Sequence, residues 1–244
     1  MDCYKPYFDF PNKVWVERFR SIFEIILLSG SVSSLLAGIP FYLFRANSAE
    51  SLMNDSIVVA GFILLEAGIC FLLLALVLTI HREKLSDLGL CWKEWKPNLI
   101  VGLALIPLLF LSNAAVSFIF QLYLPQYYVE RNPLTEIIHT PQQLGLFIFS
   151  VLIAGGIKEE LQRAFILTRF RQHLGGAKLG LVLWSVVFGA GHYIQGVQGV
   201  IIATVFGFAF GAVYLIRGNL IAPIIAHGIY DTSALLMYWF FQSN

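Results

Sequence analysis

Apolar residues run along this chain in long blocks, each broken by a short polar stretch. Neither the alternation of a half-buried strand nor the narrow stripe of a soluble amphipathic helix dominates. A helix of about 20 mostly apolar residues spans a hydrocarbon core of roughly 30 Å. On that measure the pattern predicts seven spans: residues 21–44, 56–80, 98–124, 143–170, 178–194, 197–216 and 220–241. The first three are clean. The fourth carries Lys158, Glu159, Glu160 and Arg163 inside an apolar segment. The last three are joined by very short connections. Gly189, Gly191, Gly199, Gly207 and Gly211 recur in the fifth and sixth, and small residues let membrane helices approach closely. The expected fold is all-α: a polytopic transmembrane bundle with a polar cavity between its later helices. The expected organisation is an N-terminal tail over residues 1–20, then one integral membrane domain over 21–244, with its chemistry in 155–235.

Composition agrees. The chain of 244 residues is 58% hydrophobic and 13% charged, where soluble domains average about 25% charged. Its mean hydropathy is +0.75. A net charge of +1 leaves no electrostatic footprint for nucleic acid. Three scattered cysteines without CxxC spacing offer no thiolate metal site. Residues 1–20 lack the apolar core of a signal peptide.

Lys and Arg alternate between the connections. Lys5, Lys13, Arg18, Arg20, Arg82, Lys84, Lys93, Lys96, Arg169, Arg171, Lys178 and Arg217 fall on one side, and Arg45 and Arg131 on the other. The positive-inside rule then puts the N-terminus in the cytoplasm and the C-terminus outside. The expected setting is a bacterial plasma membrane, with access to the site from the cytoplasm or from lipid. The longest connection, residues 123–143, holds three prolines and is expected on the external surface, partly as an interfacial helix.

Three of the later spans hold polar groups at depth: Glu159, Glu160 and Arg163, then His192 four residues after Phe188, then His227 and Asp231 four residues apart. Positions i and i+4 share a helix face. His227 should therefore point with Asp231, and Glu159 with Arg163. At 1.5 Å per residue, Glu159, His192 and His227 lie roughly 16, 21 and 11 Å below the cytoplasmic ends of their spans. A carboxylate and an imidazole at one level can polarise water as general base or bind a metal. A second imidazole and a carboxyl can donate to an oxyanion. This is equipment for hydrolysis by activated water. No Ser or Cys has an evident base beside it, which disfavours covalent catalysis.

These motifs, Glu159-Glu160-x-x-Arg163, Phe188-x-x-x-His192 and His227-x-x-x-Asp231, resemble those of the CAAX protease and bacteriocin-processing family. Its best-known member type is the Ras-converting prenyl-protein endopeptidase. The family's pattern is Glu-Glu-x-x-x-Arg, Phe-x-x-x-His and His-x-x-x-Asn or Asp. Leu85-Ser-Asp-Leu-Gly-Leu90 followed by Trp92 is also similar to the family's loop after the second span. The resemblance covers roughly residues 80–241. It implies an intramembrane endopeptidase in which Glu159 and His192 activate water, His227 and Asp231 hold the oxyanion, and Glu160 and Arg163 orient the site and balance its charge. Phe188 reads mainly as packing. Arg163 follows Glu159 by four residues where the family usually has five, which turns it about 100° round a helix axis.

The implied substrate is a CAAX-like peptide or another membrane-associated peptide or protein, met at the lipid bilayer. Glu159, His192 and His227 could hold zinc, but His-Glu-x-x-His, the strong zinc signature, is missing. A metal-free, glutamate-activated water is the favoured reading, with no obligatory cofactor. Two other classes compete: a non-catalytic scaffold or bacteriocin self-immunity protein, and a proton-coupled transporter using Glu and His as a relay. The lack of internal repeats counts against the transporter. Taken singly, each motif has a plainer meaning: an interfacial charge cluster, a helix-capping histidine, a hydrogen-bonded pair between helices. Glu24 and Glu66 have no partner among the motifs and read as structural or cavity-facing. His81, His139 and His173 read as solvated, and Arg169 with Arg171 as a topogenic signal.

Overall fold

The computed structural model describes residues 14–44 and 55–242. The beginning of the expected tail and most of the polar connection near residue 50 lie outside them. The helices are α1 (Val14–Leu28), α2 (Ser31–Phe44), α3 (Ser56–His81), α4 (Trp95–Tyr123), α5 (Pro133–Glu136), α6 (Pro141–Val151), α7 (Glu160–His173), α8 (Ala177–Ala190), α9 (Gly196–Arg217) and α10 (Ile221–Gln242). A π-helical stretch, Leu152–Glu159, joins α6 to α7. Among the described residues there is no strand. The protein is an all-α membrane bundle.

Helix boundaries follow local chemistry. Asp55 caps α3 by accepting from the backbone of Ile57 and Val58. Thr140 and Gln143 form a reciprocal capping box at α6, with Pro141 at its first position, where a missing N–H costs nothing. Four helical stretches are long and apolar enough to cross a membrane: Val14–Leu43, Ser56–His81, Trp92–Tyr123 and Tyr193–Arg217. Ala177–Ala190 is apolar but shorter. The segments expected at 143–170 and 220–241 are also helical, and they carry the buried polar groups. Trp15, Leu72, Ile100, Leu111, Phe118 and Ile216 are exposed. Apolar surface on this scale marks a lipid-facing shell.

The first expected span is interrupted and begins earlier than expected. Its helix starts at Val14 and breaks at Ser29-Gly30. Gly30 has φ +92°, and the Leu28 carbonyl is turned to accept from Gln162 Nε2 on α7. Inside, α9 packs along α8, and α10 packs along α4 and the π-helical stretch. A Cβ on Gly102 would lie 2.7 Å from the Ala222 carbonyl oxygen, so α4 and α10 meet backbone to backbone there.

At the end of the bundle holding the basic connections lies a buried ionic cluster that pattern reading did not anticipate. Arg169 is 3% exposed. Its Nε donates to Glu24 Oε2 at 2.6 Å, and its Nη atoms donate to both Glu83 oxygens at 2.8 and 2.9 Å. His81 Nε2 lies 2.5 Å from Glu24 Oε1. Arg169 is therefore an interhelical anchor, and His81 is paired where solvation was expected. Bidentate geometry and the long sequence separation of the partners explain both: only the packing of α1, α3 and α7 brings them together.

Candidate active site

The π-helical stretch widens the helix up to and including Glu159, the first of the two glutamates. π turns inside α-helices are rare and are frequent at functional sites. Gly155 and Gly156 lie within it, against α10. A Cβ on Gly155 would lie 2.6 Å from Asp231 Oδ2 and 3.4 Å from His227 Nε2, and one on Gly156 would meet the Gly228 backbone at 3.2 Å. The glycine pair thus lets the helix carrying the glutamates approach the helix carrying His227 and Asp231.

The glutamates part company here. Glu160 is fully buried at 0% exposure. It contacts Arg163 Nη1, and its Oε1 lies 2.7 Å from His227 Nδ1. Arg163, 1% exposed, is clamped between aromatic rings, with its guanidinium carbon 4.8 Å from the Phe188 centroid and 5.4 Å from that of Phe210. Arg163 was expected to share a face with Glu159. It pairs instead with Glu160, three residues away. Both carboxylates are within helical reach of it; the ring clamp and the His227 contact decide between them. Glu159 faces a cavity of about 790 Å³, its side chain 19% exposed, 3.8 Å from His227 Nε2 and 3.8 Å from Lys158 Nζ.

His192, His227 and Asp231 line the same cavity. His227 Nε2 is 3.5 Å from Asp231 Oδ2, so these two point together as their spacing predicts. The His227 ring stacks on Phe210, with centroids 4.5 Å apart at 19°. His192 sits in the turn after α8, with Nδ1 2.8 Å from the Phe188 carbonyl oxygen. A carbonyl only accepts, so Nδ1 carries the proton and Nε2 of the neutral ring is left as an acceptor. The Phe188 ring lies 4.6 Å from that of His192. Phe188 is therefore packing, and its backbone also sets the tautomer.

Residues 140–233 match the family model described as type II CAAX prenyl endopeptidase Rce1-like. This segment is similar to the Rce1-like family. The match agrees with the kinship suggested by the three motifs, all of which lie within it, and supports a CAAX-type peptidase at the level of the family. No curated protein and no solved structure matches the chain.

Within the Rce1-like segment the zinc option can be tested against the side chains. Among the described residues, no group of three His, Cys, Asp or Glu side chains is arranged to hold a metal ion. His227 Nδ1 is occupied by Glu160 and His192 Nδ1 by Phe188. Glu159, His192 and His227 share the cavity, and hydrogen bonding through Nδ1 leaves both imidazole Nε2 atoms able to ligate, but as placed no three such side chains among the described residues are grouped around one ion position.

Several neighbours of these motif residues carry no sequence signal. Glu66 Oε2 is 2.9 Å from Lys158 Nζ, and its Oε1 accepts from Ser33 Oγ at 2.5 Å. Glu66 therefore does have a partner in the charged cluster, and Lys158 links it to Glu159. Phe210 stacks under His227 yet looks like any other membrane phenylalanine. Asn113 Nδ2 donates to the Tyr230 hydroxyl at 3.0 Å, beside Asp231. Gly155-Gly156, one residue before the charged cluster, was by contrast a readable signal for close approach.

Proposed function

We propose that the protein is an intramembrane endopeptidase in which Glu159 is the general base for a water that attacks a peptide carbonyl. One observation carries this reading: of the two adjacent carboxylates, Glu159 faces the cavity with His192, His227 and Asp231, while Glu160 is sealed against Arg163. Glu159 takes a proton from the water, whose oxygen His192 Nε2 helps to hold by accepting its other hydrogen. The hydroxide adds to the carbonyl carbon. His227 acts as the doubly protonated imidazolium: it donates Nδ1–H to Glu160 and Nε2–H to the developing oxyanion, and a protonated Asp231 would donate beside it. Collapse breaks the C–N bond, and Glu159 returns its proton to the leaving amine. Glu160 and Arg163 position His227 and touch no reacting atom. No metal is needed in this scheme.

The test compares Glu159→Gln and Glu160→Gln with wild type in detergent or nanodiscs. Each is offered a panel of farnesylated and unprenylated peptides, with products read by mass spectrometry. Glu159→Gln should lose cleavage and keep its thermal stability, whereas Glu160→Gln should lose both. Cleavage retained by Glu159→Gln would sink the assignment.

A further inference from the structure

The cavity opens toward one end of the bundle, and charge says which side of the membrane that end faces. Phe62 and Glu66 line it from the first half of α3, Asn113 and Ser117 from the second half of α4. Trp184 and Phe188 do so from the second half of α8, and Gln198 and Phe206 from the first half of α9. On α10 the lining runs from His227 outward to Tyr238. All of these halves share the end that carries the 123–143 connection and the turn after α8. That connection itself forms the rim through Tyr128, Glu130, Arg131 and Asn132. Gln198 ties it down, accepting from the Val129 backbone at 2.8 Å and donating to Ser117 Oγ at 2.9 Å.

The other end is closed. None of the residues lining the cavity comes from the connections at 82–94, 174–176 or 218–220. The Glu24–Arg169–Glu83 cluster fills the space between α1, α3 and α7. The loop after α3 is fastened over the far end: Tyr214 donates to the Leu88 carbonyl at 3.1 Å, Asn219 to the Cys91 carbonyl at 2.8 Å, and Leu220 N to the Gly89 carbonyl at 3.0 Å.

Among the described residues, ten of the Lys and Arg that set orientation lie at the closed end, against Arg131 at the open one. Basic connections stay in the cytoplasm. We propose that the cavity opens on the extracytoplasmic face and takes an extended polypeptide segment delivered from that side. This differs from the access from the cytoplasm or from lipid expected from the sequence. A prenylated C-terminus presented in the cytosol would meet the sealed end. The side of access stands on geometry and charge alone; cleavage of the segment rests on the peptidase reading above.

Two measurements test the proposal separately. The first introduces Glu136→Cys near the rim or Lys93→Cys at the closed end. Both positions are exposed and outside the cavity lining. A membrane-impermeant maleimide is applied to cells expressing the full chain, with the unsubstituted chain as background. Glu136→Cys should label in intact cells, and Lys93→Cys only after permeabilisation. The reverse pattern overturns the proposal and leaves the peptidase reading standing. The second adds the unprenylated peptide panel outside intact cells, beside a membrane-tethered reporter with an external juxtamembrane segment. Cleavage of either by intact wild-type cells, lost in Glu159→Gln, supports the proposal, and which one is cut separates a free peptide from a tethered substrate. Cleavage confined to opened membranes overturns it. No cleavage in either preparation, with Glu136→Cys labelled from outside, strikes the peptidase reading and the substrate half of the proposal, while the assignment of the open face stands.

Discussion

This bundle holds two charge clusters, one at its closed end and one at mid-depth, and they differ in how fully their charges are paired. Around Arg169 the guanidinium is met by Glu24 and by both oxygens of Glu83, and His81 completes Glu24. Around Glu159 the nearest groups, His227 Nε2 and Lys158 Nζ, both stop at 3.8 Å, and the carboxylate looks into open space. Burying charge is costly unless the partners are complete. The first cluster satisfies that demand and joins α1, α3 and α7. The second leaves it partly unmet at the one place where a water and a substrate could enter. The types of residue are similar, and only the completeness of pairing separates a strut from a candidate site.

The comparison breaks most sharply at Glu159. Glu159→Gln should cut turnover by about 10²–10⁴-fold, the usual worth of a general base, with the unfolding midpoint in detergent unchanged. A variant that unfolds would make Glu159 a strut as well. Arg169→Ala should do the opposite. Taking the guanidinium from Glu83 and from one oxygen of Glu24 should cost about 3 kcal/mol of stability, read by thermal unfolding, while the folded fraction keeps the wild-type KM.

A sharper version lies inside the candidate site itself, where Glu160 and Arg163 form a strut. Glu160→Gln strands Arg163 and should destabilise by about 3 kcal/mol or more. Adding Arg163→Met to it should restore most of that stability without restoring cleavage, because His227 still lacks its carboxylate. Recovery of cleavage would show that Glu160 serves only to neutralise Arg163. Next in size is Gly155→Ala. The new methyl would stand where Asp231 Oδ2 now lies, 2.6 Å away, and a displacement on the ångström scale should lower kcat by about 10–10²-fold. The smallest expected change is Phe210→Leu. It removes the ring stacked on His227 and over Arg163, worth about 0.5–1.5 kcal/mol, visible as a modest drop in unfolding temperature.

Much of this was legible from spacing alone. Blocks of about 20 apolar residues mark the helices because a membrane span must satisfy its own backbone. His227 and Asp231 point together because four residues make roughly one turn. The three motifs fell in order on or at the ends of three successive apolar segments, and the family match over 140–233 covers all of them. The breaks in that regularity were not legible. The chain bends at Ser29-Gly30 because Gln162, far along the sequence, takes the Leu28 carbonyl. Arg169 had the look of a topogenic residue because the pairing of Arg with Glu24 and Glu83 has no local signature.

The sequence by itself determined that this is a helical membrane bundle with carboxylates and imidazoles inside it, since hydropathy and helical period act over a few turns of chain. Which glutamate faces the cavity, and which end of the bundle the cavity opens toward, were decided only by tertiary structure. Arg163 lies within helical reach of both Glu159 and Glu160. The choice between them was made by Phe188, Phe210 and His227, which arrive from three other helices.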